Sequence, residues 1–256
     1  MKFDKNSPII FAFIITLFLF FVTNFPSYTG KFFYEEYRVE KVIDGDTIEI
    51  SNGQKIRLIG INAPERGKYY YNESKKYLEN LILNKKIRIE YDSKTKDSYG
   101  RTLAYIIFEN KNINIEILKN GFAHTYKLNE ISKYRKELLE AENYAIKNEI
   151  GIWKKSKYSD CIILKDLFFS KEERIIIKNK CNFTINFKNW YIEDESHNTL
   201  YFNNFYVKPY QEVVICITNS SNCDYNLRSK YQIFDREGDK LFLRDSEGLL
   251  VFYYKY

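Results

Sequence analysis

The sequence predicts a mixed fold: a small closed five-stranded β-barrel with three α-helices, then an all-β sandwich, with one hydrophobic helix at the N-terminus. Three observations carry that expectation. Five short strand-like runs occupy residues 37–108, with a helical pattern inserted after the third. Beyond residue 160 the texture changes to short strands separated by turns, with no long helical pattern. Residues 9–25 form an almost wholly apolar run near the lower length limit of a membrane span.

The N-terminal run follows a short polar segment containing Lys2 and Lys5, which argues for a cytoplasmic N-terminus. It ends in Val22-Thr23-Asn24-Phe25-Pro26, with no clear small-x-small cleavage site. An uncleaved signal anchor is favoured over a cleaved signal peptide for residues 1–30. Either reading exports the rest of the chain, as a membrane-anchored or a secreted protein. A polar stretch at 154–160 then divides a first domain, 31–155, from a second, 156–256.

In the first domain, strands are expected at residues 37–43, 47–50, 55–61, 87–91 and 102–108. That number of short strands fits a barrel of the OB type. A helix at 72–83 presents Tyr77, Leu78, Leu81 and Ile82 on one face. A second, at 113–120, is closed by Gly121. A third spans 131–148, with Tyr134, Leu138, Ala141 and Ala145 as its buried stripe. In the second domain, strands are expected at 174–178, 186–192, 199–202, 212–217, 240–244 and 249–253. Turn signals such as Lys208-Pro209 and Glu237-Gly238-Asp239 separate them.

Composition narrows the chemistry. The net charge of +6 favours a polyanionic partner such as nucleic acid. Only two histidines, His124 and His197, are present, which excludes a His-rich metal site. The four cysteines, Cys161, Cys181, Cys216 and Cys223, lack zinc-site spacing. In an exported chain they favour disulfides Cys216–Cys223 and Cys161–Cys181, the first stapling a short loop. Tyr and Phe are abundant, which coding bias explains better than base stacking.

The most informative stretch is KVIDGDTIEISNGQKIRLIGINAPE, residues 41–65. Two alternating runs flank Asn52-Gly53, a strong hairpin turn. A hairpin returns its ends to one side, so Asp44, Asp46, Asn62 and Glu65 should converge, with Arg57 on the returning strand. Carboxylate, amide and backbone oxygens suit a hard cation such as calcium. A guanidinium beside them suits a phosphate. Downstream, Tyr99-Gly100-Arg101 offers a second fixed cation opening a strand.

Together these residues resemble the staphylococcal-nuclease (thermonuclease) family: the Asp-Gly-Asp-Thr turn, an arginine on the next strand, a Pro-Glu loop and a later Tyr-Gly-Arg. The resemblance runs from about residue 39 to 153. It implies a Ca2+-dependent nuclease acting on DNA, RNA or both, cleaving the 5′ P–O bond. Asp46 and Asn62 match side-chain calcium ligands, and the Ala63 carbonyl a backbone ligand. Asp44 and Thr47 match polar residues around the metal. Glu65 matches the carboxylate assigned to the attacking water, and Arg57 and Arg101 the phosphate-binding arginines. Tyr126 falls where the family has an aromatic near the nucleotide, and Lys68, Lys127 and Lys133 could follow a phosphate backbone. Asn62 departs from the founding pattern, which has Asp there. The lost charge should weaken the metal site, and it keeps open a barrel that binds nucleic acid without cutting it.

The second domain resembles the lamin-tail domain, an immunoglobulin-like sandwich. The resemblance lies in Arg174-Ile-Ile-Ile-Lys-Asn179, Phe187-Lys-Asn-Trp190-Tyr-Ile-Glu-Asp194 and Gly238-Asp239-Lys-Leu-Phe-Leu-Arg-Asp245. It implies an accessory role toward a surface or envelope partner whose identity stays open.

Overall fold

The computed structural model describes residues 35–169, 172–236 and 238–256. The apolar run at 9–25, and with it the expected N-terminal helix, lies outside these residues. Among the described residues no helix is long and apolar enough to cross a membrane.

Strands β1 (Glu36–Val42), β2 (Thr47–Ile50) and β3 (Lys55–Leu58) form an antiparallel meander, with Thr47 opposite Arg57 and Glu49 opposite Lys55. Gly53 makes the turn possible: its φ of 78° is a left-handed conformation that other residues resist. The strand expected over 55–61 stops early. Gly60, with φ 79°, bends the chain, and the short β4 (Ile61–Asn62) leaves the barrel. A Cβ at position 60 would lie 2.9 Å from Leu138 Cδ1, so a larger residue there would also have to displace that side chain.

Helix α1 (Tyr71–Ile82) leads to β5 (Lys86–Glu90) and β6 (Thr102–Phe108). The order β3-β2-β1-β5-β6, with a parallel β3–β6 pairing, closes a five-stranded barrel. Its core holds Ile48, Ile50, Ile56 and Leu58, covered by Leu78 and Ile82 of α1. A short β7 (Lys111–Asn112) precedes α2 (Ile113–Lys119), and β8 (His124–Thr125) pairs with β4.

Helix α3 (Arg135–Lys147) begins later than the expected residue 131. The Asp92 carboxylate takes the backbone N–H groups of Ser132 and Lys133 and the Ser132 hydroxyl, and Tyr134 turns left-handed at φ 55°. Tyr134 therefore sits at the helix cap, and its half-buried ring packs against the core that holds Leu138 and Ala141.

The C-terminal half contains β9 (Ile162–Phe168), β10 (Arg174–Asn179), β11 (Ile185–Asn186), β12 (Tyr191–Glu193), β13 (Thr199–Tyr201), β14 (Tyr206–Val207), β15 (Glu212–Thr218), β16 (Tyr225–Ser229), β17 (Lys240–Arg244) and β18 (Leu250–Lys255). Two four-stranded sheets, β16-β15-β10-β9 and β13-β12-β17-β18, share one core around Ile177, Phe187, Trp190, Ile215 and Leu243. The expected strand at 186–192 is two strands, because Asn189 adopts φ 64° between them. Strands β9, β14 and β16 were not anticipated. Disulfides join Cys161 to Cys181 and Cys216 to Cys223.

Residues Glu36–Tyr256 form one compact unit. Ala145, Ile152 and Trp153 pack on Phe242 and Leu250 to join the two halves. The fully buried Lys240 ammonium reaches Glu142 Oε1 at 3.1 Å and Thr125 Oγ1 at 2.6 Å. Residues of the expected linker are bonded to the β17–β18 hairpin: Ser156 Oγ donates to Asp245 Oδ2 in its turn at 2.6 Å, and Leu250 N to Lys154 O at 2.9 Å.

Candidate active site

The barrel places one arginine among several oxygen atoms. Arg57, on β3, directs Nη1 to Asp46 Oδ2 at 2.9 Å and to the Ile61 carbonyl at 3.1 Å. Its Nη2 donates to Asn62 Oδ1 at 2.6 Å. Asp46 Oδ2 also accepts from Ala63 N at 2.7 Å, and Asp46 Oδ1 accepts from the Thr47 hydroxyl at 3.0 Å. Asp46, Arg57 and Asn62 are all buried. Asp44 accepts from Asp46 N at 3.1 Å, and burial, then the neighbouring Asp46 charge, pushes its carboxyl up to about 6.

These groups line a cleft of about 530 Å³. Asp44, Asp46, Arg57, Asn62, Glu65, Arg101, Tyr126 and Lys127 all face it, so the structure brings together most of the residues singled out by the motif. Glu65 is exposed at its edge. Arg101 is held by Asp97, Nε to Oδ2, at 2.6 Å. Burial works against the Asp97 charge, but hydrogen bonds from Arg101 keep its carboxyl below the usual range. Lys127 lies 5.3 Å from the centre of the Tyr126 ring.

Four expected residues stand apart. Thr47 and Ala63 are outside the cleft lining: the Thr47 hydroxyl buttresses Asp46, and the Ala63 carbonyl accepts from His197 Nε2 at 2.9 Å. Lys68 donates to the Tyr201 hydroxyl at 3.2 Å and lies 5.7 Å from the Tyr191 ring, so it serves the contact with the second half. Lys133 pairs with Glu90 at 3.0 Å.

Among the described residues no group of three or more His, Cys, Asp or Glu side chains is placed to hold a metal ion, so a cation here would draw on amide and backbone oxygens as well. Asp44, Asp46, the Asn62 amide and the Ala63 carbonyl offer only oxygen, the preference of calcium. Burial first, and the Asp46 charge second, raise the Asp44 carboxyl. Asp46 Oδ1 accepts from the Thr47 hydroxyl, and a carboxylate oxygen has a second lone pair.

The site also contains groups that sequence reasoning missed. The turn between β12 and β13 sets Ser196 and Asn198 on the cleft wall. The Glu195 carbonyl accepts from Asn62 Nδ2 at 2.9 Å. His197, its side chain 8% exposed, puts Nδ1 at 2.7 Å from Glu193 Oε1 and Nε2 against the Ala63 carbonyl. Burial opposes its charge, but the Glu193 carboxylate lifts the imidazole above its usual value. Nothing local marked this turn, because its partners lie in the other half of the chain.

Comparison with known proteins locates the likeness in the barrel. Residues 55–155 match the family model described as staphylococcal nuclease homologue. The thermonuclease of Staphylococcus intermedius is 38% identical over 134 residues, covering 47% of this chain and 77% of that protein. The thermonuclease of Staphylococcus hyicus is 34% identical, covering 46% and 76%. Endonuclease YncB of Bacillus subtilis is 32% identical, covering 47% and 62%.

Proposed function

The chain belongs to the staphylococcal nuclease family, and on that premise we propose that it hydrolyses phosphodiester bonds of DNA, RNA or both, with calcium as the metal it would use. The observation that carries the reading is that Arg57, Arg101 and Glu65 line one cleft together with Asp46 and Asn62. Two guanidinium groups on a shared wall grip the oxygens of one phosphate and offset charge as it builds during attack. Glu65, free to meet solvent at the edge, orients a water and accepts its proton. Asp46, Asn62 and the Ala63 carbonyl, with Asp44 and Thr47 around them, are the groups that would hold calcium. Calcium bound there supplies positive charge beside the phosphate. Tyr126 and Lys127 extend the cleft along the strand, the ring for a base and the ammonium for the next phosphate.

Residues 1–30 act as an anchor or signal, 31–155 as the nuclease, and 156–256 as a lamin-tail-like accessory domain toward a surface partner. The two disulfides support an exported setting, anchored in a membrane or secreted.

The decisive experiment incubates the protein with single- and double-stranded DNA and with RNA, in calcium or in chelator. Calcium-dependent cutting is expected. Chelator-insensitive binding without cutting would instead favour a nucleic-acid-binding barrel.

A further inference from the structure

We propose that the turn at residues 193–199, contributed by the C-terminal half, is part of the nuclease site and positions two of its oxygen donors, Asn62 and Ala63. The inference rests on the nuclease reading and assigns His197 and the Glu195 carbonyl as positioning groups.

The first observation is the Asn62 amide. Its Oδ1 accepts from Arg57 Nη2 at 2.6 Å, and its Nδ2 donates to the Glu195 carbonyl at 2.9 Å. A guanidinium only donates and a carbonyl only accepts, so the amide has one allowed orientation. Position 62 needs one acceptor and one donor. An aspartate has two acceptors, and would set its second oxygen against the Glu195 carbonyl. The asparagine that departs from the founding motif is therefore matched to the turn beside it.

The second observation is His197. Both ring nitrogens face acceptors, Glu193 Oε1 at 2.7 Å and the Ala63 carbonyl at 2.9 Å. A carbonyl only accepts, so Nε2 carries the proton of that contact, and the Ala63 carbonyl is aimed by a fixed N–H while keeping its second lone pair.

The turn is itself held. Asp194 Oδ1 accepts from Ser196 N at 2.9 Å and Asn198 N at 2.7 Å, and Asp194 Oδ2 from Asn198 Nδ2 at 2.6 Å. Glu195 N donates to Asp239 Oδ1 at 3.0 Å. The Glu195 carbonyl cannot swing without breaking these bonds, and the His197 ring is held by Glu193 Oε1, so the C-terminal half brings a preorganised outer layer to the site.

The test compares wild type, His197→Ala, His197→Gln and Asn62→Asp in the full chain. It reads calcium affinity by calorimetry, kcat and KM on single-stranded DNA, and the thermal midpoint in chelator. His197→Ala should weaken calcium binding by about tenfold and lower kcat more than it raises KM. His197→Gln, which keeps an N–H for the Ala63 carbonyl, should recover most of both. Asn62→Asp should bind calcium more weakly despite its added charge, and should melt lower even in chelator. Tighter calcium binding by Asn62→Asp with an unchanged midpoint would overturn the proposal. So would wild-type calcium affinity and kcat in His197→Ala. If wild type cuts nothing, the nuclease reading alone fails, because the Asn62→Asp midpoint in chelator still decides whether the turn dictates that amide.

Discussion

Arg57 Nη1 lies 2.9 Å from Asp46 Oδ2, a buried pair that joins the returning strand of the hairpin to the Asp-Gly-Asp turn. The same guanidinium reaches Asn62, so one planar group spans two of the oxygen donors. Arg57→Lys keeps the charge but cannot reproduce that geometry. Its kcat should fall by about 100-fold or more. Stopped assays on single-stranded DNA, with circular dichroism to confirm folding, check this.

Glu65 is exposed, so its loss should separate chemistry from folding. Glu65→Gln should slow cleavage by roughly 100- to 10,000-fold. Its unfolding free energy should stay within about 0.5 kcal/mol of wild type. Wild-type turnover in this variant would remove Glu65 from the mechanism.

The Lys240–Glu142 pair is a buried ionic contact between the halves. Burial pushes the Lys240 ammonium below its usual value, and Glu142 opposes that shift. Lys240→Met leaves a buried carboxylate without its cation and should cost about 3–5 kcal/mol, read by denaturant unfolding. Because Glu142 also holds Thr125 N at 2.6 Å, beside the β4–β8 pairing, the loss should reach the cleft.

Asp194 makes the turn sensitive to pH. Burial, reinforced by Asp239 and opposed by hydrogen bonds from Asn198, pushes its carboxyl up to about 7 from 3.8. The folded state therefore holds this proton more tightly than the unfolded chain. That contribution is complete below the unfolded value and is lost as pH rises through about 7. Asp194→Asn should flatten the decline in stability between about pH 5 and pH 8, measured as thermal midpoints. An unchanged slope would place the titration elsewhere.

Asp92 carries the opposite sign. Burial alone would raise its carboxyl, but bonds from Ser132, Lys133 and Ser93 hold it well below 3.8. Its stabilisation is present above the unfolded value and is lost as pH falls through the folded one. Asp92→Asn should cost about 2–3 kcal/mol at neutral pH. The gap to wild type should narrow in acid. The segment released would be residues 131–134, next to Lys127 and Glu130 on the cleft.

The barrel strands were legible because each is a short alternating run, and the Asn52-Gly53 turn sets the register that carries Asp46 and Arg57 to the same end. Those are properties of a few neighbouring residues. The bends at Gly60, Tyr134 and Asn189 were less legible. They depend on what each backbone meets: Leu138 beside Gly60, and the Asp92 carboxylate beside residues 132 and 133. The surroundings of Lys68 were hidden for a related reason, since its aromatic neighbours Tyr191 and Tyr201 are remote in the chain.

By itself the sequence determined the family and most of the expected groups that line the cleft, Asp44, Asp46, Arg57, Asn62, Glu65 and Arg101 among them. Only the tertiary structure decided what surrounds them. Contacts of Glu195 with Asn62 and of His197 with Ala63 join residues far apart in sequence, and such pairs follow from the packing of two complete cores, which no local pattern encodes.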